Sequence, residues 1–469
     1  MKQRIAIIGG GISGLTAAYV LHRDHAATSN VTLFEAGNRL GGIIETVCTH
    51  GFTIECGPDS WVTEKPWAEQ LACELGLEQH LVRSNDHDRV TYIAQHGSLT
   101  PLPNAMRLMV PTDLDAVFAS PLFSEEAKRA YAAEPSRAAE LRESALLSRK
   151  TDADESVVDF VHRHFGEEVT ATVARPLLAG VFGGDIDRLS ARALLPTLVA
   201  LEAQHGSLIH GLQQTSRASS SSVFTTLSGG LGRLVSALAE RLPAKSLRLS
   251  TRVLAIAPHP AGWQVQTAQT RDDFDRVLIA TPLDTTRRLL AELPLPDAQR
   301  AARVLPAHAS SGLIVALGYP SRLGGIPRGF GFLVLDTATY TSSLLACTFL
   351  NQKFPAHAPK DATLLRAFFS NTAADQLSHL SDQQIATAAR EQLIGFLGAL
   401  PDTAEVTLIR RWPRSLPQYE VGHVARIAQF ERSIAGLPGI AIVGNALHGV
   451  GLPDLIRDAT HAAHTLAAG

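Results

Sequence analysis

Cysteine, methionine, aromatic residues and net charge are all in short supply in this chain of 469 residues. The four cysteines, Cys48, Cys56, Cys73 and Cys347, form no C-x-x-C pair and no metal-ligand spacing. This excludes a disulfide scaffold and a thiolate metal site, and it reads as four buried thiols in a reducing compartment. A formal net charge of −3 leaves no basic field for a polyanion, so nucleic acid is excluded as a partner. No uninterrupted apolar run of about 18 residues occurs, and no membrane-spanning helix is expected. The start, Lys2 to Arg4 followed by apolar residues, resembles a signal peptide only superficially. Glycines break the run, which continues into a fold motif that cleavage would destroy. His22/His25 and His461/His464 have i,i+3 spacing but no third ligand, so no metal site is expected and they read as solvated helix faces.

What is present is ordinary globular composition, 45% hydrophobic and 19% charged, in a chain long enough for several domains or one interleaved body. Its first residues carry the strongest signal. Residues 4–15 (RIAIIGGGISGL) run a short apolar strand into the G-x-G-x-x-G glycines Gly9, Gly11 and Gly14. A helical segment opening with Ile12 and Ser13 follows, then a second apolar strand ending at Glu35. Gly9 permits a tight turn, Gly11 lets a pyrophosphate approach the backbone, and Gly14 lets helix pack closely on strand. The helix N-terminus offers free N–H groups and a positive dipole end to phosphates. Glu35, 21 residues after Gly14, has the spacing that reaches a ribose hydroxyl. These residues indicate an adenine dinucleotide without choosing which one.

Next comes EAGNRLGG at 35–42, where Ala36, Arg39, Gly41 and Gly42 suit a second close approach of backbone and cation to a pyrophosphate. A hairpin turn with a solvated Arg39 is the alternative. Residues 42–47 and 52–56 read as hairpin-like segments, and about 112–222 as helical, with a serine loop at 219–222. A helix is expected over 231–242, strands over 247–256, 263–267 and 276–281, and an antiparallel sheet within 310–370. The end reads as a strand over 439–445, a glycine loop, and a helix over 453–468 with Pro453 in its first turn. That second helix N-terminus would stabilise negative charge developing on a reduced flavin ring. A nicotinamide gains nothing comparable on reduction, which favours FAD.

Five segments in order along the chain carry a family resemblance. They are EAGNRLGG at 35–42, GPDS at 57–60, RPLLAGVFGGD at 175–185, RWPRSLPQY at 411–419, and GN at 444–445 running to GVGLP at 449–453. Together they resemble the oxygen-dependent protoporphyrinogen/coproporphyrinogen oxidases of haem synthesis, within the flavin amine oxidase superfamily. The resemblance implies an α/β fold: a Rossmann-like FAD-binding domain of discontinuous segments, a mixed-sheet substrate domain and a helical insert. The implied boundaries are 1–88, 223–284 and 425–469 for FAD, 89–104 and 285–424 for substrate, and 105–222 for a membrane-associating helical domain. It also implies FAD contacts from Gly57, Pro58, Asp59, Ser60, Val253, Thr281, Trp412, Gly444, Asn445, Gly451, Leu452 and Pro453. The implied reaction is six-electron oxidation of a porphyrinogen to a porphyrin, with O2 reoxidising the flavin to give H2O2. Protoporphyrinogen IX is taken as substrate, with coproporphyrinogen III as the alternative. A cytoplasmic location, peripheral on the inner face of the membrane, goes with this, and the apolar segment 102–110 is a candidate contact.

A porphyrinogen is a bulky apolar macrocycle with carboxylates, so its site needs apolar walls, cationic clamps and water exclusion. Arg89 is the candidate clamp, against a solvated strand-end arginine. Arg175 reads as a structural ion pair. Gly183 and Gly184 would let backbone approach the ring. Phe330 and Phe332 either wall the macrocycle or are alternate residues of a half-buried strand. His448 either lies over the flavin or caps a turn. No general base is evident, and hydride loss from a methylene bridge does not demand one. A flavin amine oxidase would need a facing aromatic pair, which is not evident among 6% aromatic residues. A carotenoid desaturase would not need arginine clamps.

Overall fold

The computed structural model describes residues 2–215, 222–335 and 343–468. A five-stranded parallel sheet carries the opening motif, in the spatial order Leu247–Arg248, Ser29–Phe34, Gln3–Ile8, Arg276–Ile279, Ile440–Ile442. Crossovers of this kind cover both faces of a sheet, so its strands need no polar side. Gln3–Ile8 shows the consequence. Ile5 and Ile7 pack into one core with helices Ile12–His25 and Leu452–Ala468. Ala6 and Ile8 pack into another with the antiparallel strands Val253–His259, Gly262–Thr267 and Arg271–Phe274.

The second large sheet has seven strands, ordered Val406–Pro417, Ala309–Tyr319, Thr363–Phe369, Leu344–Phe349, Gly331–Val334, Thr91–Gln95, Ser98–Pro101. It is mixed rather than antiparallel, because Gly331–Val334 pairs parallel with Thr91–Gln95, a segment from far upstream. One face packs on helix Asp382–Leu397 through Val315, Phe332, Phe349 and Phe396. Between the two sheets in sequence, helices from Leu114 to Thr215 enclose their own core around Phe160, Phe165, Val173 and Leu201. Within it, His164 is wholly buried, with Nδ1 3.0 Å from Glu134 and Nε2 3.1 Å from Glu202. Among the described residues no helix is long and apolar enough to cross a membrane.

Several sequence expectations need correcting. The strand read over 247–256 is two strands in different sheets, Leu247–Arg248 and Val253–His259. Between them Ser250 adopts a left-handed φ of 50°, and its N–H bonds the Gly37 carbonyl. The two segments near 42–56 form one hairpin, Thr46–Thr49 with Phe52–Glu55. Its outward alternation leaves Cys48 exposed, and Cys73 is only partly buried, so only Cys56 and Cys347 are the buried thiols expected. Residues 219–221 of the serine loop, and 336–342 of the expected sheet, lie outside the described residues.

Candidate active site

Ligands of open parallel sheets bind beyond the carboxyl ends of the strands. Here those ends bring together Gly9 after Ile8, Glu35 after Phe34, the Ser250 turn after Arg248, Thr281 after Ile279, and Gly444 after Ile442. The glycine mechanics follow from the backbone. Gly9 has φ +109°, and a Cβ there would lie 2.4 Å from the Ala280 carbonyl oxygen. A Cβ on Gly14 would lie 1.9 Å from the Gly9 carbonyl oxygen, so helix Ile12–His25 sits on the strand only with glycine there. At Gly11 a Cβ would meet nothing within 4 Å: the turn opens onto free space at the helix N-terminus.

Glu35 frames this turn. Its carboxylate accepts from the N–H groups of Gly10 at 2.7 Å and Gly37 at 2.6 Å, which leaves lone pairs for a ribose hydroxyl. The Thr251 N–H bonds the Glu35 carbonyl, carrying the start of strand Val253–His259 past the same end, where Val253 is buried. Ala36 is exposed beside them. Gly41 bridges to the glycine turn through its N–H to the Gly10 carbonyl at 2.8 Å. Gly42 abuts Gly11, with a Cβ position 3.3 Å from the Gly11 Cα. Arg39 is turned on its own loop, donating to the carbonyls of Leu40, Gly42 and Ile44. Open room above Gly11, an uncapped helix N-terminus and a carboxylate with spare lone pairs fit a dinucleotide.

The large sheet grips the 56–60 loop. Trp412 donates from Nε1 to the Cys56 carbonyl at 2.6 Å. Arg366, 1% exposed, donates to the Gly57 carbonyl and to Asp59 Oδ2. Lys353 reaches Asp59 Oδ1 at 2.9 Å and Ser60 Oγ at 3.2 Å. Although burial alone would raise it, Lys353 and Arg366 hold the Asp59 carboxyl well below the usual carboxylate range. Glu45 receives a bidentate Arg410 at 2.8 Å on each oxygen. Behind them Glu55, fully buried, accepts from the Leu231 N–H and pairs with the Thr46 hydroxyl. Burial pushes its carboxyl up to about 7.

At the other end of the site, residues 444–451 lead into helix Leu452–Ala468, with Leu452 and Pro453 buried in its first turn. Asp454 in that turn pairs with Lys65 at 2.5 Å and sits against Gly449 and Gly451. His448 points outward to Glu431 at 3.0 Å, and its ring is 41% exposed.

The expected substrate residues fare unevenly. Arg89 is exposed after the short turn Asp86–Asp88, without an ion pair among the described residues. Arg175 pairs with Asp187 at 2.8 Å. Phe332 does not wall a cleft: it is 1% exposed and packs on Phe349 and Phe396 at the helix-covered face. Strand alternation therefore turns Leu333 the other way, to within 3.1 Å of the Cβ position of Gly180. Phe330 is also buried. Gly183 ends helix Arg175–Phe182 in the left-handed conformation at φ 60°, and Gly184 packs on Gln418. Arg366, Lys353, Glu45, Arg410, Gln418 and Tyr419 escaped sequence reading as site residues. Of these, only Arg410, Gln418 and Tyr419 had a signal, lying beside or inside the 411–419 segment.

The model of the flavin containing amine oxidoreductase family matches residues 12–467. Coproporphyrinogen III oxidase of Bacillus subtilis (strain 168) is 32% identical over 471 residues, covering 97% of this chain and 96% of its own. That of Staphylococcus aureus (strain NCTC 8325 / PS 47) is 28% identical, covering 100% of both. The crystal structure of a provisionally named protoporphyrinogen oxidase from Exiguobacterium sp. 255-15 superposes with TM-score 0.85 at 32% identity, over 100% of this chain and 99% of that one. With its glycine turn, Rossmann-like parallel sheet and mixed second sheet, the chain belongs to the flavin-containing amine oxidoreductase family.

Proposed function

We propose that this chain is an FAD-dependent porphyrinogen oxidase of haem synthesis, with coproporphyrinogen III as the favoured substrate. The observation that carries the reading is the match to coproporphyrinogen III oxidase over 97% of this chain, laid over an intact dinucleotide turn. When bound, FAD supplies a hydride acceptor that O2 reoxidises to give H2O2. The residues that would hold it are those of the Gly9–Gly14 turn, Glu35, Gly41–Gly42, the 56–60 loop, and the 444–453 segment. The protein's remaining task is to orient a methylene bridge and exclude water.

Charge beside the second sheet supports the substrate with more carboxylates. The Phe330 N–H bonds the Val90 carbonyl at 2.8 Å, so Arg328 and Arg89 lie on adjoining backbone segments. Both are exposed; Arg89 has no ion pair among the described residues, and the Asp88 carboxyl is held below the usual range by His87 and, more weakly, by nearby Arg328. Two cations on one edge suit a ligand bearing several carboxylates. Protoporphyrinogen IX is the second reading, favoured by the name of the Exiguobacterium relative. Peripheral membrane contact from the cytoplasmic side belongs to the same proposal. Phe118 and Leu147, 45% and 62% exposed on the helical insert, support it.

The test is anaerobic mixing of the purified yellow protein with each porphyrinogen in turn. Bleaching of the flavin band is expected on anaerobic mixing, followed by porphyrin fluorescence once O2 is admitted to complete the six-electron oxidation, both faster with coproporphyrinogen III. Neither signal with either substrate would sink the reading.

A further inference from the structure

We propose that Gln418 and Tyr419 act as one positioning strut: Tyr419 sets the loop that faces the flavin, and Gln418 sets the glycine loop over the substrate. This rests on the function proposed above.

Tyr419 is buried, and its hydroxyl is used in both directions. It donates to the Asn445 carbonyl at 2.7 Å and accepts from the Gly449 N–H at 3.0 Å. One oxygen thereby ties both ends of the loop between the last parallel strand and the last helix. Asn445 adds a bond from Nδ2 to the Ser415 carbonyl at 2.9 Å. His423 stacks on the Tyr419 ring at 3.9 Å with a 10° interplanar angle. Its Nε2 lies 2.8 Å from the Leu447 carbonyl, in the middle of the loop. A carbonyl only accepts, so Nε2 carries the proton. Burial pushes His423 down to about 4, which keeps the ring neutral and the bond intact.

The preceding residue faces the other way. Gln418 donates from Nε2 to the carbonyls of Phe182 at 3.1 Å and Leu416 at 2.9 Å. Its Oε1 is buried without a partner among the described residues. A Cβ on Gly184 would sit 1.6 Å from that oxygen, so Gly184 lies directly against it. A buried unpaired acceptor is unfavourable, which marks this loop position as one maintained against a local penalty. The Ser190 N–H bonds the Tyr419 carbonyl at 2.8 Å, closing the attachment to the helical insert. Adjacent residues just after strand Val406–Pro417 thus bond two loops that are far apart in sequence.

Two variants of the holoprotein separate the halves. Tyr419→Phe keeps the stack on His423 and removes two hydrogen bonds. It is expected to raise the FAD dissociation constant about ten-fold and to shift the flavin visible band, with porphyrinogen KM unchanged. Gln418→Leu is expected to raise porphyrinogen KM about five-fold while FAD affinity and the flavin band stay as in the wild type. Wild-type FAD affinity and spectrum in Tyr419→Phe would overturn the proposal, as would both variants moving the same parameter. If either protein does not fold, His423→Phe and Gln418→Glu replace them with the same readouts. If the wild type oxidises neither porphyrinogen, the functional reading and the Gln418 half fall together. The FAD measurement, which needs no porphyrinogen, still decides the Tyr419 half.

Discussion

Replacing Asp59 with asparagine removes the carboxylate that two buried cations share. Lys353 Nζ and Arg366 Nη1 each lie 2.9 Å from one of its oxygens, and the three side chains are 10%, 1% and 12% exposed for Lys353, Arg366 and Asp59. At 2.9 Å each contact is worth about 6 kcal/mol at an effective dielectric near 20, but desolvating the carboxylate offsets much of that. Breaking such a buried pair by removing one partner costs about 3–5 kcal/mol, because the other charge is left uncompensated. With an unfolding entropy near 1 kcal/mol/K for a chain this long, Asp59→Asn is expected to melt about 4 °C below wild type. Lys353→Met leaves a neutral Arg366–Asp59 pair and is expected to lose less. Lys353→Met added to Asp59→Asn is expected to recover part of the loss. The sign with pH is also fixed. A carboxyl held below its usual range stabilises above the unfolded value near about 4, and the contribution is lost as pH falls through the folded value. The gap between wild type and Asp59→Asn is therefore constant above about pH 5 and closes on acidification. Thermal melts from pH 3 to 8 decide it. A loss smaller than that of Lys353→Met, or a gap that widens in acid, would refute the reasoning.

Glu55 predicts the opposite slope. Its carboxyl rises to about 7 in the folded protein, so the folded state keeps a proton that the unfolded chain releases. Stability should then fall as pH rises from about 4.5 to 7. Glu55→Gln, which mimics the protonated form, is expected to remove that slope and melt above wild type at pH 8, by up to about 3 kcal/mol. A variant less stable than wild type at pH 8 would contradict this. Beside the second sheet, Arg89→Ala and Arg328→Ala should each raise porphyrinogen KM about five-fold, the modest effect of an exposed ion pair. Unchanged KM in both would remove them as clamps.

The parallel sheet was legible because each of its longer strands is a compact apolar run with a glycine or acidic residue at its end. Gly14 likewise declares itself locally, since its contact with the Gly9 carbonyl lies within one strand–turn–helix unit, whereas the contact that excludes a side chain at Gly9 comes from Ala280 at the end of another strand. Strand faces in the second sheet were not legible. Phe332 and Leu333 are both apolar, and only the position of helix Asp382–Leu397 decides which one faces it. The mixed character of that sheet depends on a parallel pairing between Thr91–Gln95 and Gly331–Val334, which no local pattern announces.

By itself, the sequence determined that a strand–glycine turn–helix unit opens the chain with Glu35 beside it, and which family the distant motifs resemble. Those features are set by short-range sterics and hydrogen bonding. Only the tertiary structure decided that Arg366 and Lys353 converge on Asp59, that His448 turns outward, and that Gln418 and Tyr419 hold two separate loops. The physical reason is the same in each case. A buried charge or hydrogen-bonding group is fixed by partners from other elements, and their convergence depends on packing.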